Sequence, residues 1–155
     1  MIFINLETMN KKQKDFSLRV LAMLLPYDVS VEITLVDGTK FSDKLTAERW
    51  NDWNSDNGET YEGIRPFLRP TASMTLDEKN DLLLTVVGKD GAEHFHVTST
   101  GIYDNDKKEQ SIENFSFHWI IFENDSIVKY VQWMLEHKFD MFKMLKKKLA
   151  ISDRK

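Results

Sequence analysis

His94-Phe95-His96 is the stretch of this chain most like a metal-ligand pair. On a strand, residues two apart project from the same face, so both imidazoles could meet one ion. A third ligand would have to come from His118, His137 or a carboxylate, and no HExxH-type pattern supplies it. His94 and His96 are therefore weak metal candidates, set against the reading that they are solvated or core-edge histidines. An imidazole titrating near neutrality also suits acid–base work, but no nucleophile or orienting partner stands beside either one in the sequence. Cysteine is absent, which removes thiolate nucleophiles, disulfides and cysteine-based zinc sites together. Gly88 and Gly91 follow neither the GxGxxG nor the GxxxxGK[ST] pattern, so nothing predicts a phosphate cradle. The carboxylate pairs Asp52/Asp56 and Glu59/Glu62 read as a solvated rim rather than as glycosidase acids. No catalytic residue and no cofactor is expected.

Charge and aromatic residues point to binding instead. The 155 residues carry a formal charge of −4, unevenly spread. Between Asp43 and Glu62, six acids face two bases; from Lys138 to Lys155, seven bases face two acids. Trp50, Trp53 and Tyr61, interleaved with Asp52 and Asp56, form an acidic aromatic segment of the kind that anchors a partner protein. The opposing reading is that both tryptophans only cover a sheet edge. Lys143, Lys146, Lys147 and Lys148 could contact phosphates as point charges, giving salt-sensitive and sequence-independent nucleic-acid binding. They could equally complement a helix C-terminus and keep the tail soluble.

The elements that must position these residues are legible in part. Asn10 with Gln13 predicts a capping box, and Phe16, Val20 and Leu24 recur at helical spacing until Pro26 stops the helix. Val29, Val31, Ile33 and Leu35 alternate with Ser30, Glu32 and Thr34, predicting a strand with one apolar and one wet face. Asp37-Gly38 predicts a two-residue hairpin turn with positive φ at both positions, and a return strand through Leu45. Thr46 caps a short helical or irregular piece, and Ser55 to Gly58 reads as a loop.

Pro66 and Pro70 exclude regular helix from Glu62 to Met74, predicting an extended connector pinned by Ile64, Phe67 and Leu68. Thr75 with Glu78 predicts a second capping box. Leu82 to Val87 fits either helix or strand before a turn through Gly88 to Gly91. His94–Thr98 and Phe115–Phe122 read as strands, with Gly101–Gln110 a polar loop between them. A last long helix capped by Asn124 or Asp125 carries Ile127, Val131, Met134 and Leu135 and breaks at His137-Lys138. Asp140 is expected to cap a second, shorter helix, with Phe139 and Met144 as its hydrophobic staple.

These elements predict an α+β class: a small, mainly antiparallel sheet, built from the first hairpin and the strands around His94 and Trp119. It packs against an N-terminal helix and a C-terminal helical pair. The length suits a single domain over residues 1–155, its basic end from about 146 frayed. No run of eighteen apolar residues and no signal-like N-terminus occurs, so a cytoplasmic chain away from membranes is expected.

Three blocks are more specific: Leu24-Leu25-Pro26-Tyr27-Asp28-Val29-Ser30-Val31, then Ile64-Arg65-Pro66-Phe67-Leu68-Arg69-Pro70-Thr71-Ala72-Ser73-Met74-Thr75, then Tyr130-Val131-Gln132-Trp133-Met134-Leu135-Glu136-His137-Lys138-Phe139-Asp140. In this order they resemble a family of small proteins of gut Bacteroidota genomes, frequently within prophages and other mobile elements. Its members carry LPYGV, KPYLRPMSSMTEEE and DWLNAHHFD blocks, with no assigned activity. Asp28 stands where that family has glycine, Phe67 where it has tyrosine, and Lys138 where it has a second histidine. The resemblance implies a mobile-element setting and no reaction. It leads to the expectation of a non-enzymatic accessory protein that binds a host or phage protein. Nucleic-acid binding through the lysines is the alternative, and a histidine-based hydrolase ranks third.

Overall fold

The computed structural model describes residues 9–99, 101–105 and 124–153. It is an α+β structure whose strand pairs are mostly antiparallel. The chain falls into two compact units. The first runs to Leu68 and adds Phe142–Asp153, and the second is Arg69–Met141.

In the first unit, helix α1 (Lys11–Leu24) opens on the expected capping box: Asn10 accepts from the Gln13 amide, and Gln13 accepts in return from the Asn10 amide. Ser17, Leu18, Val20, Leu21 and Leu24 are its buried residues. The chain leaves through a 3-10 turn, Leu25–Tyr27, and Asp28 takes a left-handed backbone with φ of 55°. Strands β1 (Ser30–Leu35) and β2 (Lys40–Lys44) form the expected hairpin. Its turn differs from the expectation, because only Gly38 has positive φ. The Gly38 amide bonds to the Leu35 carbonyl and the Leu35 amide to the Thr39 carbonyl. That is a three-residue loop whose last position needs the left-handed region, so the glycine does the work the Asp-Gly pair was assigned.

Val31 and Ile33 are fully buried as expected, but Thr34, placed on the wet face by its alternation, is buried too. Helix α2 (Ala47–Ser55) is capped by Thr46. The proline connector is extended as its residues require, yet its first half is strand β3 (Tyr61–Leu68), paired antiparallel with β1. A short strand, β6 (Ile151–Ser152), which the sequence reading did not contain, runs parallel beside Phe67 and Leu68. The sheet order is β2-β1-β3-β6. The strand near His94 is thus not part of this sheet.

In the second unit, helix α3 (Leu76–Ala92) starts on the Thr75–Glu78 capping box and settles residues 82–87 as helix. Gly88 interrupts it with φ of 76°, so Gly88 to Gly91 is a kink and a further helical turn rather than a hairpin turn. Strands β4 (Phe95–Thr98) and β5 (Gly101–Asp104) pair antiparallel, and Gly101–Asp104 is therefore strand where a polar loop was expected. Helix α4 (Asn124–Glu136) contributes Tyr130, Trp133 and Met134 to a core with Met74, Leu82, Leu83, Val86, Phe95, Ile102 and Phe139. The expected strand Phe115–Phe122 and the side chain of Ile127 lie outside the described residues.

Helix α4 does end at His137-Lys138. Lys138 adopts φ of 58°, the Phe139 amide reaches the Met134 carbonyl, and the Lys138 amide reaches that of Leu135. This pair of bonds is a Schellman cap, with buried Phe139 and Met134 at the positions that pack against one another in that motif. The second, shorter helix after Asp140 does not form. Lys143 and Lys148 both take left-handed φ, and the Leu149→Met144 and Lys148→Leu145 bonds repeat the Schellman pattern around one short turn. Left-handed residues at 143 and 148 leave too few positions between them for a helix.

Candidate functional site

Trp53 and Tyr61, two of the expected partner-binding aromatics, belong to the core of the first unit, and Trp53 is only 1 % exposed. Their elements explain this. Helix α2 is nine residues long, and Trp53 is its buried residue, so the helix packs through that indole. Half-buried Trp50 donates its indole N–H to the Leu18 carbonyl at 2.8 Å, joining α2 to α1. The Tyr61 hydroxyl accepts from Arg49 at 3.3 Å, and this bond, more than Asp43 at 3.4 Å, raises the Arg49 pKa. Partial burial pushes the Asp56 carboxyl up, but the amides of Tyr61, Thr60 and Gly58 outweigh it and hold its pKa below the usual carboxylate range. Asp56 therefore organises the loop into β3. Asp52 alone of the five stays exposed on the surface.

Trp53, Asp56 and Tyr61, though not Trp50 or Asp52, border a groove of about 460 Å³. Lys11, Lys14 and Asp15 line it from α1, and Asn54, Asn57 and Glu62 from the α2–β3 segment. Lys14 donates to the Asp56 carbonyl at 2.6 Å, with its ammonium 5.8 Å from the Trp53 ring. The groove residues from α1 were missed in the sequence. The signal was Lys14 itself, four residues before Leu18 on the buried side of the helix, where a lysine must find a partner. Amides, ammonium groups and carboxylates from two sides can hold a polar main chain. They supply no paired nucleophile and base.

The C-terminal lysines of the same unit behave differently. Lys143, Lys146, Lys147 and Lys148 are exposed on turns, while Met144 between them and Leu149 and Ala150 after them are buried. The lysine-bearing segment is thus fixed through its backbone and apolar residues. Arg65, buried at 5 % exposure, donates its Nε to the Lys148 carbonyl at 3.0 Å and lies 3.5 Å from Glu62.

In the second unit His94 and His96 are exposed. His96 meets Asn105 through Nδ1 at 2.8 Å and stacks on Tyr103, which explains its orientation without an ion. His137 bonds through Nδ1 to the Trp133 carbonyl and stacks on that indole. Among the described residues no three histidines or carboxylates come together as a metal site, and His118 lies outside them.

The second and third of the specific sequence blocks meet here. Arg69 makes two hydrogen bonds to the Glu78 carboxylate, one at 2.8 Å, and its guanidinium lies 4.3 Å from the Phe139 ring centre. The Arg69 amide bonds to the Lys138 carbonyl and the Asp140 amide to the Arg69 carbonyl. The Arg69 bonds, against partial burial, lower the Glu78 pKa to about 2. Lys79 is buried at 3 % exposure with its ammonium on the Thr98 and Ser99 carbonyls at 2.9 and 2.8 Å. Burial lowers its pKa.

Compared with known proteins, the chain matches no family model, no curated protein and no solved structure. No helix among the described residues is long and apolar enough to cross a membrane.

Proposed function

We propose that this chain is a non-enzymatic accessory protein of a phage or mobile element, acting by binding a host or phage protein. The groove between α1 and the α2–β3 segment would be its contact face. The observation that carries this reading is the groove's construction: polar side chains from two sides, held on a frame that Trp53, Trp50 and Asp56 lock in place. A rigid frame with a mixed polar rim suits recognition of a protein surface, because little ordering cost accompanies binding. That mixture supports a protein partner, since ammonium, amide and carboxylate groups favour neither sign of charge.

The mobile-element setting rests on the sequence blocks. Asp28 is left-handed at the position where the resembled family has glycine, a residue that adopts this conformation without strain. Arg69, Thr75 and Phe139 of those blocks serve the fold together with Glu78, which leaves recognition to other surfaces.

A photo-crosslinking amino acid at Asn57, with a control at Asp90 of the second unit, tests the reading in cells of the source community. A protein adduct at Asn57 and none at Asp90 is the expected result. No adduct at Asn57, or the same adducts at both positions, would count against it.

A further inference from the structure

The basic end of the chain does not stand alone. The Lys147 ammonium lies 4.5 Å from the ring centre of Phe16 on α1, which brings the C-terminal turns beside the helix. Lys12 and Arg19, four residues before Phe16 and three after it, share its stripe of the helix. Both are exposed, as are Lys143, Lys146, Lys147 and Lys148. Of the acids on these two segments, Asp15 borders the groove and Asp153 follows β6. Six exposed cations from two distant parts of the sequence thus lie on two segments that meet at Phe16, in a chain whose formal charge is −4.

Their support is already in place. Left-handed Lys143 and Lys148 bracket a turn closed by the Leu149→Met144 bond, and buried Met144 and Leu149 pin it. The backbone is ordered without the ammonium groups, so a ligand meets a preorganised array. Five of the six cations are lysines, compact point charges without the planar fork that reads bases or pairs bidentately. An array of this kind contacts phosphates and not sequence.

We propose that this array, Lys12, Arg19 and the lysines from 143 to 148, binds the phosphate backbone of nucleic acid independently of sequence. It is separate from the groove and does not depend on it. Each phosphate neutralised releases counterions, so affinity must fall with salt.

Fluorescence anisotropy of the full chain with labelled single- and double-stranded DNA tests this between 50 and 200 mM salt. With about five phosphate contacts, affinity for the duplex should fall roughly several-hundredfold over that range. The Lys143→Gln/Lys146→Gln/Lys148→Gln variant should bind at least tenfold more weakly at 50 mM salt and reduce the salt slope by about three. Lys12→Gln/Arg19→Gln should reduce the slope by about two, which a tail acting alone would not do. Arginine at the three tail positions should preserve binding, and Lys89→Gln in the second unit should not alter it. Salt-insensitive binding, undiminished binding by the triple glutamine variant, or binding to phosphatidylserine vesicles with none to DNA would each overturn the proposal. Unchanged urea midpoints for the glutamine variants would show that any lost affinity is lost contact.

Discussion

The α2–β3 segment and the C-terminal lysine turns belong to the same compact unit, and they use their conspicuous residues in opposite ways. In the first, the indoles, the phenol and a carboxylate are engaged by the fold: Trp53 is core, Trp50 ties α2 to α1, and Asp56 holds three loop amides. In the second, the conspicuous lysines are exposed, with the Lys147 ammonium on the Phe16 ring, and the fold holds the chain through Met144, Leu149 and main-chain bonds. A residue that stands out in a sequence is available for recognition only when its local structure is satisfied without it.

Truncating the engaged side chains should show the contrast most strongly. Trp53→Ala removes a fully buried indole and should lower stability by about 3–5 kcal/mol in urea unfolding. A loss below 1 kcal/mol would place Trp53 among the dispensable residues and erase the contrast.

The second unit extends the test to a charged anchor. Arg69→Ala removes both charge-assisted bonds to Glu78 and the contact with Phe139, and should cost roughly 1.5–3 kcal/mol at neutral pH. The sign of its pH dependence follows from Glu78. Its folded pKa, about 2, lies below the ordinary value of 4.5. The stabilisation is therefore present above pH 4.5 and is lost as pH falls toward 2. The difference between wild type and Arg69→Ala, followed in urea from pH 7 to pH 2.5, should shrink on the acid side. A constant or widening difference would remove Glu78 from the account.

Backbone strain gives a smaller effect of opposite sign. Lys148 sits at φ of 61°, where glycine carries no side-chain penalty, so Lys148→Gly should stabilise by up to about 1 kcal/mol. Destabilisation would mean that the lysine side chain supports its turn. Least of all should come from Lys146→Gln, an exposed change expected to stay within about 0.5 kcal/mol of wild type.

Much of the fold was legible because local chemistry and global structure agree. Asn10 with Gln13 and Thr75 with Glu78 cap the helices that their spacing announced, and Thr46 caps a helix where a helical or irregular piece was expected. Misreadings arose where distant partners decided. Pro66 argued for a connector, and pairing with β1 made the segment a strand. Asp140 and Met144 carry a helix-start pattern, but left-handed Lys143 and Lys148 turn the chain into β6. A lysine gives no glycine-like warning of that conformation. For the site, the acidic aromatic segment reads in sequence as a short helical or irregular piece and a loop, and the structure puts Trp50, Asp52 and Trp53 on α2, Asp56 just after it and Tyr61 at the start of β3. Its availability was not legible, because Trp53 is covered from α1, which lies far before it in the sequence.

Residue-resolved lysine acetylation of the folded protein, read by mass spectrometry at limiting reagent, probes engagement itself. Lys79, buried on two carbonyls, and Lys14, bonded to Asp56, should remain protected until the chain is unfolded, while Lys143, Lys146 and Lys148 react first. Equal labelling of Lys79 and Lys146 in the native state would contradict the division between engaged and available side chains.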